Sequence, residues 1–338
     1  GFDFCVIAKK PLDGRGFEWF RTLESGSLFK VINTNDGGYL AVGLSRSTVQ
    51  IDGAHDPLIF NPGMNGGAGF ALTTIYNCPT NNFNFTEWRG YAVKFDGQGN
   101  IQWRYLYGLE TPDDFSNDAI GFFNRRCEIN NAIETDYGYR LIGRAEKPNE
   151  NEEYIAIYID VNQDGEILFD GPDALVRPLP MIGNWEYGNA FGITRYESGG
   201  SFKNIVTITA ERDELGYPFD LRRVVLVIQI DESLDFNQSF DWVLDETSAI
   251  NQHSQSASLN SSCQNIRTFY DTNNDPYLML PIVKDCTPCL YAGDNIGLGY
   301  VYILDPNMFG SIVDHVSHGE LRAYDLKTDV IPTPDGGY

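Results

Sequence analysis

Two short phrases recur along this chain of 338 residues and constrain its fold more than any single residue does. The first reads VINTNDGGY at residues 31–39 and returns as VIPTPDGGY at residues 330–338. The second reads GYAVKFDGQGNIQW at residues 90–103. It has a relative at the start of the chain, where FCVIAK at residues 4–9 leads to GRGFEW at residues 14–19. Such repetition is typical of a fold that stacks copies of one unit.

The first complete unit contains four predicted strands. Residues 28–34 alternate apolar and polar side chains, a DGG turn follows, and residues 39–44 form a second apolar strand. We call these strands A and B. Residues 91–95 alternate again, residues 96–100 tolerate positive φ, and residues 101–107 close the unit as strands C and D. The pattern predicts a four-stranded antiparallel meander.

The unit returns along the rest of the chain, and its period indicates the architecture. The A–B element recurs around 132–144, 202–210 and 266–283, and the C–D element around 154–169, 224–243 and 300–316. Four strands per long period, with almost no helical pattern, predict an all-β protein built as a β-propeller. Each sheet then has two apolar faces that only neighbouring blades can cover.

We predict one propeller region over residues 1–338, with about five blades' worth of strands and both ends cut in mid-blade. The predicted divisions are a C–D element at 3–24, blades at 26–107, 130–170, 199–243 and 266–316, and the start of a further blade at 328–338. We therefore expect the sequence to be a piece of a longer polypeptide.

The charge balance argues against several classes of partner. Asp and Glu number 47 against 24 Lys and Arg, which gives a formal net charge of -23. Such a surface does not favour nucleic acid or an anionic membrane. No apolar run approaches the roughly 20 residues that a membrane helix requires, so membrane insertion is not expected.

A meander separates its connections between two edges. Successive strands run antiparallel, so the A–B and C–D turns lie on one edge and the B–C and D–A connections on the other. The second set is long, at 46–89, 108–130, 245–265 and 285–297. Long connections carry function more often than the strands that hold them. We therefore predict the binding surface on this second edge.

Three residues are candidates for that surface. Trp88 and Trp185 do not match the position shared by Trp19, Trp103 and Trp242, which are predicted at equivalent places on D strands and should pack between blades. Surface contact and burial both stay open for the first two. His253 lies on a long connection, where it is either a binding residue or a solvated loop histidine.

The six cysteines are predicted on the same edge as the long connections. They are Cys5, Cys78, Cys127, Cys263, Cys286 and Cys289. In an exported protein they would form disulfides that staple the loops. The alternatives are free thiols and a metal site on the CTPC stretch at 286–289, although a lone CxxC is only half of a zinc motif.

A calcium site is a further candidate. Asp160, Asn162 and Asp164 offer the alternating oxygen ligands of a calcium loop, but the twelfth position is Gly171 where an EF-hand has a bidentate Glu. The same residues coincide with a predicted C–D turn, where Asp, Asn and Gly are expected for backbone reasons. We therefore predict no cofactor, with calcium as the alternative at these residues.

Catalytic motifs are weak. The four histidines stand in no recognisable motif with a nucleophile, and there is no nucleophile elbow, P-loop or HExxH sequence. Among 47 acidic residues some pair will lie at glycosidase spacing by accident. We therefore predict no enzymatic activity, with a propeller-type polysaccharide hydrolase using axial carboxylates as the alternative.

The two phrases together carry a resemblance. The DGGY turn, followed by Lys-apolar-Asp-x-x-Gly-Asn-apolar-x-Trp, resembles propeller repeats of large secreted proteins of Bacteroidota, many exported by type IX secretion; the first unit has both, at 36–43 and 94–103. The resemblance implies a secreted or cell-surface module for display, adhesion or binding. Its partner would be a protein, a glycan or another part of the same surface assembly. A purely structural segment of a giant surface protein or filament is a further alternative.

Overall fold

The fold is all-β. The computed structural model describes residues 4–12, 14–45, 89–107, 127–146, 154–168, 177–179, 187–213, 221–232, 240–244, 259–263, 265–271, 273–286, 296–306 and 311–322. Most of these residues lie in β-strands and none of them in an α-helix. Every strand pairing among them is antiparallel. The predicted fold class is confirmed at this level, while the arrangement of the sheets as propeller blades stays a prediction.

The chain divides into two compact units, Gly1–Pro178 and Leu179–Tyr338. The first unit holds two meander sheets. Sheet 1 consists of β1 (Phe4–Lys9), β2 (Trp19–Asn33), β3 (Tyr39–Ser45), β4 (Arg89–Phe95) and β5 (Ile101–Tyr107), in that order. Sheet 2 consists of β6 (Cys127–Glu134), β7 (Gly138–Glu146), β8 (Tyr154–Asn162) and β9 (Arg177–Pro178), also in chain order.

The second unit holds two further meander sheets. Sheet 3 consists of β10 (Tyr187–Ser198), β11 (Ser201–Asp213), β12 (Leu221–Asp231) and β13 (Phe240–Leu244). Sheet 4 consists of β14 (Leu259–Cys263), β15 (Arg267–Tyr270), β16 (Pro276–Cys286), β17 (Ile296–Asp305) and β18 (Ser311–Arg322). Because β14 and β15 both pair with β16, they act as two halves of one interrupted first strand.

Strand β2 serves two layers. Its first part pairs with β1 up to Ser25, and its second part pairs with β3 from Gly26 onward. The strand therefore leaves a two-stranded ribbon, β1 with the start of β2, and becomes the first strand of a four-stranded meander. The ribbon corresponds to the predicted C–D element at 3–24. The second part of β2 together with β3, β4 and β5 corresponds to the predicted strands A to D of the repeat at 26–107.

Four hairpin turns share one five-residue geometry. In each, the first N–H donates to the fifth carbonyl and the fourth N–H donates to the first carbonyl, at 2.8 to 3.1 Å. The turns span 34–38, 96–100, 162–166 and 271–275. The fourth residue has positive φ, at 79° for Gly37, 77° for Gly99, 80° for Gly165 and 66° for Asn274. A type I turn followed by a left-handed residue makes a tight hairpin, which explains why Gly and Asn recur at this place.

The first unit has two apolar clusters, one on each face of strands β3 to β5. The ribbon part of sheet 1 contributes Cys5, Ile7, Trp19 and Leu23 to one cluster, and β3 and β4 cover them with Ala41, Tyr91, Val93 and Phe95. The opposite face of sheet 1 contributes Leu40, Val42, Ala92 and Tyr107 to a second cluster with sheet 2, which includes Ile129, Leu141 and Ile157. Sheet 1 is therefore apolar on both faces, as a sheet covered from both sides must be.

The second unit repeats this face-to-face packing. Sheet 3 contributes Tyr196, Ile205, Val225, Val227 and Val243 to one apolar cluster. Sheet 4 contributes Cys263, Ile266, Leu278, Leu280, Ile282, Tyr302 and Leu304 to the same cluster. Burial of alternate aliphatic side chains from two antiparallel sheets is the main stabilising term in such a layer.

Two tryptophans connect the repeated phrases physically. The Trp19 indole Nε1 donates to the Gly97 carbonyl at 3.3 Å, and the Trp103 Nε1 donates to the Gln163 carbonyl at 2.8 Å. Each ring thus lies against the C–D turn of the next sheet layer. Each also contacts a tyrosine at the start of the B strand of that layer: Tyr39, the first residue of β3, at 5.6 Å and Tyr139, the second residue of β7, at 6.1 Å between ring centroids. The predicted packing role of these two tryptophans is confirmed; Trp242 lies on β13, and its side chain is outside the described residues.

Two predicted strands differ from the structure. The A–B element expected around 202–210 is a single strand, β11, and its partner on the A side is β10, which starts at Tyr187. The D strand expected to end near residue 169 is represented by one isolated bridge between Val161 and Ile167, while β9 at Arg177–Pro178 supplies the ladder. Both differences concern strands whose sequences lack clean alternation of apolar residues.

Candidate functional site

The two edges of the meanders carry different kinds of connection, as the antiparallel strand order requires. We call the edge with the short turns the turn edge and the opposite one the connection edge. In the first unit the connection edge is where β3, β5 and β7 end and where β4, β6 and β8 begin; in the second unit it is where β11, β13 and β16 end and where β12, β14 and β17 begin. The residues between these strand ends lie outside the described part of the chain, so the site can be built only from the strand ends themselves.

On the turn edge of sheet 1, a buried lysine holds the DGG turn. The Lys94 ammonium is 1 % exposed and donates to Asp36 Oδ2 at 2.7 Å and to Gln102 Oε1 at 2.9 Å. Asp36 also accepts from the Thr34 hydroxyl at 2.5 Å and from the Gly38 N–H at 2.9 Å. Burial alone would raise the pKa of Asp36, but these donors outweigh it and lower the pKa to about 2.

Sheet 2 carries a different ion pair in the corresponding place. Arg140 and Asp160 face each other across β7 and β8, as Leu40 and Lys94 do across β3 and β4. The guanidinium forms a fork, with Nε to Oδ1 at 2.7 Å and Nη2 to Oδ2 at 3.0 Å. The Tyr137 hydroxyl adds a bond to Oδ1 at 3.0 Å. Both charged side chains are almost completely buried, so the pair satisfies charges that could not otherwise lie there.

Sheet 3 also has a charged pair on its own turn edge. Arg195 forms a fork with Glu232, with Nε to Oε2 at 2.7 Å and Nη2 to Oε1 at 2.6 Å. The Asn204 amide also donates to Glu232 Oε2 at 3.2 Å, and the Arg195 guanidinium lies over the Phe202 ring at 3.4 Å from its centroid. Three sheets therefore use their charged turn-edge side chains to fix strand ends.

The calcium candidates lie at the hairpin turn that follows β8 and take part in its hydrogen bonds. Both carboxylate oxygens of Asp160 accept bonds from Arg140. The Asn162 Oδ1 accepts from the N–H groups of Asp164 and Glu166 at 3.0 and 2.9 Å, as Asp96 and Asp271 do in their own turns. Asp164 is exposed. Of the two interpretations, the hairpin turn is the one that the structure displays, and calcium stays a prediction without a described ligand cluster.

On the connection edge of sheet 2, three side chains form a polar cluster that sequence reasoning missed. Glu128 is the second residue of β6, and Arg144 lies opposite it near the end of β7. Their fork has two bonds of 2.9 Å, and the guanidinium lies 4.4 Å from the centre of the Tyr154 ring. Arg144 keeps 31 % of its side chain exposed and Glu128 keeps 15 %. The only sequence signal was the cross-strand register, which follows from the turn between the two strands.

The disulfide prediction is wrong for the cysteines whose side chains are described. No disulfide joins them, and Cys5, Cys127 and Cys263 lie buried in three different apolar clusters. The Cys263 thiol donates to the Asn265 carbonyl at 2.9 Å, and burial raises its pKa to about 12. Cys127 is the first residue of β6, Cys263 is the last residue of β14, and Cys5 is the second residue of β1, so their side chains point between sheets instead of into the connections. Cys78, Cys289 and the side chain of Cys286 lie outside the described residues.

The other candidate binding residues cannot be placed. Trp88, Trp185 and His253 all lie outside the described residues. Trp88 directly precedes β4, which begins at Arg89 on the connection edge. Its assignment to that edge therefore stays a prediction that the neighbouring strand end supports.

Within the described part of the chain, no group of three or more His, Cys, Asp or Glu side chains could hold a metal ion, and no helix is long and apolar enough to cross a bilayer. A scan against protein-family models found no matching family, and a search of curated proteins found no matching protein. The site must therefore be interpreted from its own geometry.

Proposed function

We propose that this chain is a β-propeller-type module that binds or displays and has no chemistry of its own, working outside the cell or at its surface. Its connection edge would contact a protein or glycan ligand. The propeller arrangement is part of the proposal. It is supported by sheets that are apolar on both faces and by the same Trp contact at two successive layers.

One observation carries the choice of edge. On the turn edge, the described acidic side chains Asp36, Asp160 and Glu232 are bonded to buried or half-buried cations, and Asp96 and Asp271 accept backbone N–H groups of their own turns. Groups committed in this way stabilise hairpins and are poorly suited to take up a ligand or a proton. Ligand recognition then falls to the opposite edge.

The connection edge has features that suit binding. The half-exposed Arg144 stacks on Tyr154 and is held by Glu128, so the guanidinium is oriented before any partner arrives. Arg and Tyr are enriched at the centres of binding surfaces because each offers a large rigid surface with polar tips. A pre-oriented pair loses little conformational entropy on binding.

The first test removes a connection and measures fold and binding separately. Ser45 and Arg89 are directly paired, so a five-residue Gly/Ser loop can replace residues 49–86 without moving β3 or β4. We expect the melting temperature to stay within about 3 °C, because a loop change of this kind costs little chain entropy. Binding to immobilised xylan, pectin, mucin, collagen or fibronectin should weaken at least about tenfold for whichever probe the parent binds, equivalent to about 1.4 kcal/mol.

A turn-edge variant serves as the control. Asp164→Asn changes an exposed acid on the turn edge and should leave both the fold and probe binding unchanged. A loop-replaced protein that unfolds would show that the connection is part of the core, and the proposal would fail. New reducing ends released from xylan or pectin would instead support the alternative of a polysaccharide hydrolase.

A further inference from the structure

The polar cluster on the connection edge of sheet 2 has hydrogen-bond donors that its own members do not use. Arg144 donates through Nε and Nη2 to the two carboxylate oxygens of Glu128, both at 2.9 Å. A guanidinium carries more N–H groups than one carboxylate can accept. Among the residues that the structure describes, none accepts from Nη1, and 31 % of the Arg144 side chain is exposed. The end of the guanidinium formed by Nη1 and Nη2 can therefore take up a further pair of acceptors.

Strand register holds this guanidinium in one orientation. Glu128 and Arg144 are cross-strand partners on β6 and β7, and Tyr154 is the first residue of β8. The guanidinium carbon lies over the Tyr154 ring, 4.4 Å from its centroid. The carboxylate fixes one edge of the group and the ring fixes its plane. Little side-chain entropy is therefore left to lose when a ligand binds.

The charges around Arg144 discriminate between classes of ligand. Glu128 neutralises the guanidinium, and Glu146 lies two residues further along β7, directly opposite Tyr154. Residues two apart on a strand, and residues directly paired across strands, lie on the same face of a sheet. An acidic ligand would therefore meet one cation and two anions here, on a chain whose net charge is -23. An uncharged ligand meets no such repulsion.

The shape of the donor group favours two neighbouring oxygen acceptors. The N–H groups at the end of a guanidinium are coplanar and parallel, so they bind acceptors in pairs. Hydroxyl groups on adjacent carbons of a sugar ring present such a pair without charge. The carbonyl groups of an extended peptide belong to residues about 3.8 Å apart along the chain and are presented singly. A glycan therefore matches this end of Arg144 better than a polypeptide does.

We infer that the Arg144 guanidinium binds neighbouring hydroxyl groups of an uncharged polysaccharide, and that Glu128 and Tyr154 position it for this. The inference rests on the proposed function, because it names the ligand class of the same connection edge. It also gives Glu128 a part in specificity. Its carboxylate orients the guanidinium and cancels the charge that would otherwise attract uronates.

The test compares one polysaccharide backbone with and without charge. Methyl-esterified pectin and polygalacturonate present the same ring hydroxyls and differ in the charge of their carboxyl groups, while arabinoxylan and galactomannan extend the uncharged set. Biolayer interferometry with the full chain, at about 0.05 M NaCl where screening is weak, measures each dissociation constant. We expect at least one uncharged polysaccharide to bind at least about tenfold more tightly than polygalacturonate.

Two substitutions separate recognition from folding, which the melting temperature monitors. Arg144→Lys keeps the cation but loses the paired N–H groups, so binding of the uncharged polysaccharide should weaken at least about tenfold. Glu128→Gln removes the neutralising charge, so the affinity for polygalacturonate relative to the uncharged polysaccharide should rise at least about tenfold. Arg21→Lys is the matched control, because Arg21 lies over the Trp19 ring on the turn edge and its substitution should not change binding.

Each contrary result has a defined meaning. The inference is overturned, and the proposed function retained, if polygalacturonate binds more tightly than every uncharged polysaccharide or if Arg144→Lys leaves binding intact. Binding of collagen or fibronectin alone has the same meaning, with a protein as the ligand. No binding to any of these probes contradicts both the inference and the proposed function. If Arg144→Lys does not fold, an unchanged preference in Glu128→Gln overturns the inference.

Discussion

At the scale of single residues, this protein places its charges where they fix turns. Lys94, Arg140 and Arg195 are buried or half-buried, and each is held by an acid at a strand end. A buried charge without a partner costs several kcal/mol, of order 3 to 5 when one member of a pair is removed. These pairs therefore specify strand register as much as they stabilise it.

Asp36 gives a prediction with a defined pH window. Its folded pKa of about 2 lies below the ordinary value of 3.8, so its contribution is complete above pH 4 and is lost as the pH falls towards 2. We expect Asp36→Asn to lower the free energy of unfolding at pH 7 by about 1 to 2 kcal/mol, discounted because the side chain is half exposed. Urea unfolding from pH 2 to 7 measures it.

The control for Asp36 is its partner. In a Lys94→Met background, Asp36→Asn should lower the free energy of unfolding much less, because that background has no buried ammonium group for the substitution to leave unpaired. Equal costs in both backgrounds would contradict the pairing.

The Arg140–Asp160 pair predicts an asymmetry. Asp160→Asn leaves the guanidinium buried without its charge partner and should destabilise the protein by about 3 to 5 kcal/mol. The double variant Arg140→Leu/Asp160→Leu should recover most of that loss, because apolar residues of similar volume suit a dry site. Chemical unfolding of the three proteins measures both effects. A double variant no more stable than Asp160→Asn would show that the fork itself is required.

Cys263 gives a prediction about reactivity. Burial raises the pKa of its thiol to about 12, so little thiolate exists at pH 8 in the folded protein. Iodoacetamide should label this residue at least about a hundredfold more slowly in the native protein than in urea. Peptide mass spectrometry without reductant reads the labelling. A Cys263 that stays unlabelled after unfolding would instead point to a disulfide.

At the scale of elements, the C–D turn and the tryptophan of the preceding layer form one device. Gly99 and Gly165 are left-handed because the turn requires it, and each also lies directly against an indole ring. A Cβ on Gly165 would come within 2.7 Å of the Trp103 ring, whereas a Cβ on Gly37 would meet nothing within 4 Å. Gly99 and Gly165 therefore permit both the left-handed turn and the close approach of an indole ring, whereas Gly37 permits only the left-handed turn.

That contrast provides a matched pair of substitutions. Gly37→Ala and Gly99→Ala place alanine at φ values of 79° and 77°. Because alanine is strained in the left-handed conformation, each substitution should lower the free energy of unfolding by about 1 to 2 kcal/mol. Gly99→Ala should lose a further 1 to 3 kcal/mol, approximately, because its Cβ overlaps the Trp19 indole. Thermal unfolding and tryptophan fluorescence together report the loss and the displaced ring. Equal losses would contradict the packing role of Trp19.

At the scale of the whole molecule, the net charge of -23 is a general destabilising term. Repulsion among like charges opposes the folded state and is screened by salt, with a Debye length near 30 Å at 0.01 M and about 8 Å at 0.15 M. We expect the melting temperature to rise by about 2 to 8 °C between these two NaCl concentrations, or roughly 1 to 2 kcal/mol for chains of this size. Differential scanning calorimetry measures the shift.

Calcium can be tested in the same experiment. At matched ionic strength, CaCl₂ should raise the melting temperature no more than NaCl does if residues 160–166 form only a hairpin turn. A further rise in the melting temperature that Asp164→Asn abolishes would support the calcium interpretation, because Asp164 is the exposed one of the three candidates.

A melting temperature that falls as NaCl is added would contradict the argument that repulsion among like charges destabilises the protein.

Local chemistry made part of this fold predictable. The strands and turns of the unit with both phrases were placed within one or two residues at 39–45 and 101–107, because a left-handed glycine at a fixed turn position leaves few alternatives. Strand β10 was not predicted, since its sequence of mixed polar and glycine residues has no clear period. The cysteines were assigned to the wrong environment because a residue at a strand end belongs equally to a connection and to a core.

The amino-acid sequence by itself determined the all-β class, the four-stranded repeat and the places of the tight turns, because these depend on period-two alternation and on residues that tolerate positive φ. Tertiary structure decided what each side chain touches. The partners of Trp103, Arg140 and Arg144 lie 60, 20 and 16 residues away and meet them only through strand register and sheet packing. The pairing of strands that lie far apart in the sequence is fixed by the assembled sheets.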